Sequence, residues 1–335
     1  MKKDAQADPG IVIVAESRAM RDVLDRAVRV APTEANLLLS GESGTGKDLL
    51  ARWIHEHSLR ASGAYVKIDC GTLPENLLEA ELFGYERGAF TGASATKPGR
   101  FEAAQGGTLV LDEVTGLSQQ AQAKLLRVIE DRRFTRLGGT QLLSLNTRLI
   151  SLTNINLLET VSRRAFRADL FHRLNVIPLE LPSLRERRED ILPLTKYFLE
   201  LVARRHGRPL CTLTPESQAA LKGYAFPGNV RELFHLIERA VLLTRSEVLG
   251  LEVFPPQITS AVSIIRSREQ QPTLAQLEAL YIREVLRSTR GQKSRAAEIL
   301  GISRKNLYEK MRAYDIPYNQ KRSMKHEELR MKNEE

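Results

Sequence analysis

Over the first half of the chain, short apolar runs alternate with amphipathic stretches. Asn36-Leu37-Leu38-Leu39, Tyr65-Val66-Lys67-Ile68, Leu109-Val110-Leu111 and Arg148-Leu149-Ile150-Ser151-Leu152-Thr153-Asn154 each read as a strand buried in a sheet. Between them, Leu49, Leu50 and Ile54, then Leu77, Leu78, Leu82 and Phe83, fall at helical spacing. Residues 119–131 form an amphipathic helix expected to turn Ala123, Leu126, Val128 and Ile129 inward. Residues 134–142 hold Gly138-Gly139 and read as a hairpin, and 176–181 ends the sheet region. Strands alternating with helices predict an α/β fold with a parallel sheet.

After residue 183 the period becomes helical throughout. Helices are expected over 191–206, over 215–223 with proline in the first turn, and over 229–243, which together make a smaller all-helical domain. Residues 262–272 are polar and rich in Ser and Gln, a linker. A helix over 274–288 precedes 293–300 and 304–314, which flank the turn Gly301-Ile302-Ser303 as in a helix-turn-helix. Ser294 and Ser303 stand as N-caps, and Ala296, Ala297, Ile299, Leu300, Ile302 and Leu307 as the shared core. The expected division is a loose N-terminus (1–10), an α/β domain (11–182), a helical domain (183–260), a linker (261–273), a helix-turn-helix domain (274–316) and a charged tail (317–335).

The length of 335 residues suits such an assembly. Lys and Arg number 50 against 41 Asp and Glu, a net charge of +9, which admits an anionic partner without specifying nucleic acid. No run of about 18 apolar residues marks a membrane span. Met1-Lys2-Lys3-Asp4-Ala5 lacks the apolar centre of a signal peptide, so the expected compartment is the cytoplasm. Cys70 and Cys211 are too far apart to suggest a disulfide framework or metal site.

Candidate chemistry begins at Gly41-Glu42-Ser43-Gly44-Thr45-Gly46-Lys47-Asp48. Strand, Gly-rich turn and helix supply what a phosphate needs: amides turned to one point, a positive helix end, and a lysine for the β- and γ-phosphates. Asp48 stands where the common pattern has a hydroxyl for magnesium. A Gly-rich turn that merely closes a strand is the alternative. Asp112-Glu113 ends a buried strand, where the first acid can hold magnesium and the second can polarise an attacking water. Gly88-Ala89-Phe90-Thr91-Gly92-Ala93 breaks every period and sets an apolar ring in a loop, either tucked into a core or meant for a partner. Arg167 and Arg173 would lie on different sides of one helix, as contacts to different groups or as solvated charges. Arg231 lies in a first helical turn, where a cation is disfavoured unless an anion is near. In the helix-turn-helix, Ser303, Arg304, Lys305, Asn306, Tyr308, Lys310 and Arg312 mix phosphate-binding and base-reading types; a solvated basic face is the alternative.

From about Val14 to Ile316 the chain resembles the bacterial enhancer-binding proteins, the AAA+ ATPase activators of sigma-54 RNA polymerase. The most specific element is the intact 88–93 loop, which in that family contacts sigma-54. The family's phosphate loop also carries an acid at the place of Asp48. The resemblance implies an AAA+ P-loop ATPase core, a helical lid and a Fis-type helix-turn-helix. It implies ATP and Mg2+ as cofactors, with phosphates on residues 41–48 and Mg2+ on Asp112. Glu113 matches the catalytic acid, and Thr153 and Asn154 match the nucleotide-sensing strand end. Arg167 and Arg173 match arginine fingers reaching a neighbour's ATP, and Arg231 the second sensor. Sigma-54 holoenzyme, double-stranded enhancer DNA and further copies of the chain are the implied partners, the copies forming a hexameric ring, or a dimer when inactive. Asp69 departs from the asparagine that often restrains the catalytic glutamate. With no room for an N-terminal receiver, control by a separate protein or a longer parent chain is expected. A DNA-binding repressor that keeps the ATP-binding fold for assembly is the rival; it would need neither Phe90-Thr91-Gly92 nor Glu113. A small-molecule phosphotransferase would leave the helix-turn-helix unexplained.

Overall fold

The computed structural model describes residues 12–258, 273–289 and 291–316. The expected loose N-terminus, nearly all of the linker and the charged tail lie outside them. The chain divides into two compact units, Met1–Thr259 and Ser260–Glu335.

In the first unit, α1 (Arg18–Val30) leads to β1 (Leu37–Ser40), α2 (Lys47–Glu56), β2 (Tyr65–Asp69) and α3 (Glu75–Phe83). A ribbon of β3 (Gly84–Tyr85) and β4 (Lys97–Pro98) precedes α4 (Arg100–Ala103), β5 (Thr108–Asp112) and α5 (Gln119–Asp131). A second ribbon, β6 (Arg133–Phe134) with β7 (Leu143–Ser144), precedes β8 (Arg148–Thr153), α6 (Leu157–Ser162), α7 (Ala168–Leu174) and β9 (Ile177–Glu180). The main sheet runs β2-β5-β8-β1-β9, parallel throughout.

Both faces of this sheet are buried, so its strands read as apolar runs. Leu37, Leu39, Val110, Ile150 and Leu152 pack to one side with Ala27 of α1 and Leu50 and Ile54 of α2. Leu38, Leu109, Leu111 and Leu149 pack to the other with Phe101, Leu125 and Leu170. Each such side chain contributes about 1.5–3 kcal/mol by leaving water. The parallel pairing sends the ends of β1, β2, β5 and β8 to one edge, where loops can gather chemistry.

Arg148 is buried in β8 and donates to the carbonyls of Ala31 (2.6 Å) and Val30 (2.9 Å), satisfying the end of α1. In α5 the inward face differs from expectation. Gln122 is fully buried beside Leu125, Leu126, Val128 and Ile129, while Ala123 is only half-buried. The Gln122 amide is satisfied by backbone: Nε2 donates to Leu117 O (2.8 Å) and Ala165 O (3.2 Å), and Oε1 accepts from Arg167 N (2.8 Å).

The lid comprises α8 (Ile191–His206), α9 (Pro215–Gly223) and α10 (Asn229–Leu243), with a two-residue parallel pair of β10 (Thr212–Leu213) and β11 (Val248–Leu249). Thr214 caps α9 by accepting from Ser217 N. At the lid's start, buried Asp190 accepts from Glu16 N and Ser17 N (2.7 Å each) and from Ser17 Oγ (2.9 Å). Buried Arg187 lies 3.9 Å from the same carboxylate.

The second unit packs α11 (Leu274–Ser288), α12 (Lys293–Ile299) and α13 (Arg304–Ala313) around Ile282, Val285, Ala296, Ala297, Leu307 and Met311. Ile299, expected in this core, is half exposed, and Gln292 rather than Ser294 occupies the cap position of α12. Ser303 caps α13, its Oγ accepting from Asn306 N at 3.2 Å.

Removing the Asp190 carboxylate would leave the Arg187 guanidinium uncompensated and strip three donors of their acceptor. Asp190→Ala should therefore cost about 3–5 kcal/mol, seen as a lower urea midpoint of the full chain. An unchanged midpoint would mean that α1 does not depend on this tie.

Candidate functional site

The 41–48 loop joins β1 to α2, and Gly41, Gly44 and Gly46 take positive φ. At Gly44 the constraint is also spatial: a Cβ there would fall 2.4 Å from Gly228 O of the lid. Lys47 opens α2 and is buried, its Nζ donating to Gly41 O (2.6 Å) and Glu42 O (3.1 Å). Burial pushes the Lys47 pKa below the ordinary lysine value, against the pull of Glu113, Asp112 and Asp48.

The lid grips this loop from behind. Asn229, fully buried with φ 54°, donates through Nδ2 to Ser43 O (3.0 Å) and Glu42 Oε2 (3.1 Å), and accepts from Leu184 N (2.8 Å). Arg187 donates to Thr45 O at 2.6 Å. Arg231 donates from its backbone to Gly44 O (3.3 Å) and from Nη1 to Ser43 Oγ (3.0 Å). Arg185 pairs with Glu42, Nη1 to Oε2 at 2.8 Å. Of these lid residues, sequence reasoning found only Arg231. The signal for Arg185 and Arg187 was the charge-dense 185–190 stretch at the domain junction, which reads as ordinary surface until the loop beside it is known.

Asp112 ends β5, and Glu113 follows in a left-handed conformation with φ 51°. Glu113 Oε2 accepts from Asn154 N at 3.3 Å, so the end of β8 touches the second acid. Burial raises the Glu113 pKa, more than the Asn154 amide and Lys47 lower it, and Asp112 and Asp69 add to the rise. Asp69 makes no bond to Glu113; its Oδ1 accepts from Gly71 N (2.8 Å) and Thr72 N (3.2 Å) as a turn cap. Thr153 Oγ1 donates to Ile155 O at 3.0 Å.

Two cavities with shared lining flank this edge. One, of 300 Å³, sets the charged and polar side chains of Ser43, Lys47, Asp48, Asp112, Glu113 and Arg231 beside apolar Val230 and Phe234. The other, of 550 Å³, is largely apolar and includes Val12, Val14, Met20, Leu194, Tyr197 and Phe198. Gly46, Leu49, Phe198 and Val230 line both. The apolar half was missed in the sequence, although Ile11-Val12-Ile13-Val14 is a visible signal.

Arg167 and Arg173 are not brought to this edge within the chain. Arg167 precedes α7 as its cap residue and pairs with Asp169 at 2.7 Å, and Arg173 pairs with Glu130 at 3.0 Å.

The 88–93 loop is closed by Gly88 N to Ala93 O (2.9 Å) and Ala93 N to Phe90 O (3.0 Å). Phe90 is 43% exposed, yet it has the local neighbour that its sequence surroundings did not suggest: Tyr85 meets it edge-on, with ring centroids 5.0 Å apart. Thr91 is exposed, whereas Ala93 is buried beneath the loop. The loop's base is joined to the second ribbon. Arg136 bonds Glu102 (2.6 Å) and Glu86 (2.8 Å), and Glu86 N donates to Leu137 O while Leu137 N donates to Gly84 O, both at 3.0 Å.

In the second unit, Arg304, Lys305, Asn306 and Arg312 are exposed. Tyr308 is half-buried, with Lys293 over its ring at 5.8 Å. Lys310 ion-pairs with Glu278 of α11 at 2.6 Å.

A parallel sheet with a glycine loop after β1 and two acids at the end of β5 is the core of a P-loop nucleoside triphosphatase. The profile of the Sigma-54 interaction domain matches residues 13–180, that of the AAA+ ATPase lid domain 185–271, and that of the Fis family of bacterial regulatory proteins 273–314. Regulatory protein AtoC of Escherichia coli K12 is 43% identical over 312 residues, covering 91% of this chain and 68% of AtoC. Transcriptional regulatory protein ZraR of Klebsiella oxytoca is 44% identical over 301 residues, covering 89% of this chain and 68% of ZraR. The crystal structure of NtrX from Brucella abortus in complex with ATP matches with a TM-score of 0.71 at 34% identity, covering 91% of this chain and 70% of NtrX. The chain belongs to the sigma-54-dependent transcriptional activators, AAA+ ATPases that carry a Fis-type DNA-binding helix-turn-helix.

The Arg185–Glu42 tie carries a pH signature. Hydrogen bonds from Arg185 and then Asn229 hold the Glu42 carboxyl at about 2, against an ordinary 4.5. A depressed folded-state pKa stabilises in full above the unfolded value and is lost as pH falls through the folded one. Wild type should therefore lose urea resistance more steeply than Glu42→Gln between about pH 5 and pH 3. Equal slopes would show that the tie does not contribute to stability.

Proposed function

We propose that the chain hydrolyses ATP at the carboxyl edge of its sheet, between neighbouring copies in a hexameric ring, and uses the cycle to open sigma-54 promoter complexes. One observation carries the reading. Lys47, Asp112, Glu113, Asn154 and Arg231 converge on one edge from the sheet and the lid, beside an apolar cavity suited to a base.

The 41–48 amides and Lys47 hold the phosphates, and the missing Cβ at Gly44 lets the lid at Gly228 and Arg231 close against the loop. Asp112 offers one hard carboxylate oxygen donor beside that cradle, which suits Mg2+ shared with phosphate oxygens. Bound there, Mg2+ would neutralise charge developing on the phosphates. Glu113 accepts a proton from the attacking water, and its raised pKa suits a base. Asn154 reports on Glu113 through its backbone amide, and Arg231 links the phosphate end to lid position. Arg167 and Arg173 stabilise the transition state in a neighbour's site, consistent with their surface pairs to single acids in this chain.

Phe90 and Thr91 meet sigma-54. The glycines at 88 and 92 take positive φ in the closed loop, and Tyr85 supports the exposed ring edge-on. In the second unit, Asn306 reads base edges and Arg304, Lys305 and Arg312 meet phosphates, which tethers the ring upstream and raises its effective concentration at the promoter. A DNA partner and a sigma-54 partner set the site of action in the cytoplasm. A repressor with an idle ATP fold is disfavoured by the exposed Phe90 and by the polarised Glu113.

Two experiments test this reading. Arg167→Ala and Lys47→Ala should each abolish turnover, and mixing the two should restore part of it at interfaces that pair an intact loop with an intact arginine. No recovery at any ratio would overturn hydrolysis in trans. Thr91→Ala should leave ATPase activity near wild type and remove binding of sigma-54 in the presence of ADP and a metal fluoride, assayed by gel shift. A variant that still shifts sigma-54 and still opens the promoter would remove the loop from the contact.

A further inference from the structure

The phosphate loop departs from the common pattern at one position, and the structure joins that departure to a residue outside the loop. Asp48, in the first turn of α2, ion-pairs with Lys67 of β2, and the same Nζ lies 2.7 Å from Asp112 Oδ2. The register makes this possible. Strands β2 and β5 pair from Tyr65 with Thr108 to Asp69 with Asp112, so Lys67 points alongside the strand that ends in Asp112. Asp112 is 16% exposed and Lys67 36%, so the pair is partly withdrawn from water.

We propose that Lys67 is a positioning residue for magnesium and nucleotide: it bridges Asp48 to Asp112, fixing the Asp112 carboxylate for the metal and cancelling the Asp48 charge beside the phosphates. This rests on the reading that Asp112 holds Mg2+. Two problems are solved by one ammonium. A carboxylate at position 48, facing the phosphate cavity, would repel a polyanionic nucleotide, and pairing with Lys67 removes that repulsion. A strand-end carboxylate can rotate, and a bond to Oδ2 stops it and leaves Oδ1 as the oxygen for the metal. Carboxylates that bind metals are commonly fixed by such hydrogen bonds, and losing one typically costs about 10–100-fold in metal affinity. Lysine suits the bridge because its donors spread around one nitrogen and can serve two acids on different elements.

The test is binding of a fluorescent ADP analogue to the full chain, in EDTA and across a Mg2+ titration, with Mn2+ resonance spectra of the ADP complex as a readout independent of turnover. Lys67→Met should raise the Mg2+ concentration for half-saturation about 10–100-fold and broaden the Mn2+ spectrum. It should also weaken binding in EDTA, because Asp48 is then uncompensated. Lys67→Arg should return both quantities to within a few-fold of wild type. Asp48→Asn combined with Lys67→Met should recover binding in EDTA while keeping the raised Mg2+ requirement, which separates the two effects. Lys67→Met with wild-type Mg2+ dependence and wild-type binding in EDTA would overturn the proposal, leaving a surface ion pair only. Asp112→Asn distinguishes the underlying reading: if it too leaves Mg2+ dependence unchanged, Asp112 is not the metal ligand and the failure lies there.

Discussion

A phosphate loop works only if its amides stay turned toward one point, and the loop's own bonds from Lys47 reach only the carbonyls of Gly41 and Glu42. The next three carbonyls are restrained by the lid. Carbonyls at Ser43, Gly44 and Thr45 point away from the cavity and are each taken by a lid donor: Asn229, the Arg231 amide and Arg187. A carbonyl fixed on one side of a peptide plane sets the N–H on the other. Lid position and loop geometry are therefore one variable, and the same helix that closes the cavity carries Arg231 into it. The arrangement has a cost, since Arg187 and Asp190 are both nearly fully buried, and such a pair is a weak source of net stability. What it supplies is a unique register between α1, the lid and the loop.

The sheet was legible because its physics is local. Strands buried on both faces must be apolar runs, and parallel strands must be separated by helices, so the β1, β2, β5 and β8 patterns and the acids at Asp112 and Glu113 stood out. Legibility failed wherever a side chain's role is set by distant backbone. Gln122 breaks the apolar face of α5 because its amide binds carbonyls at 117 and 165, which no helical period reveals. Asn229 looked like the start of a helix, yet it adopts φ 54° to reach Glu42 and Ser43, 186 or more positions away. The pair of Lys310 with Glu278 of α11 joins two helices and could be read from neither alone. Ser294 looked like a cap, but α12 begins two residues earlier than that reading allowed.

The acid at position 69 illustrates how a like-charge conflict is resolved without moving the chain. Asp69 and Glu113 are close enough for Asp69 to raise the Glu113 pKa, which is an unfavourable pairing for two anions. The turn after β2 compensates by donating Gly71 N and Thr72 N to Asp69. Glu113 for its part finds Asn154 N from a different strand. Each carboxylate is thus satisfied by backbone, with no side-chain amide bonded between them.

The junction of Arg136 with Glu86 and Glu102 has a consequence for how such chains exchange parts. The partners lie 34 and 50 positions apart, with β5 and α5 between them. A single recombination crossover between positions 102 and 136 separates the guanidinium from both acids. The product would carry two unpaired carboxylates on one parent's loop or an unpaired arginine on the other's ribbon. The heritable module is therefore the whole stretch from the 84–98 loop through the second ribbon, inherited as a block, even though its two ends look like independent surface loops.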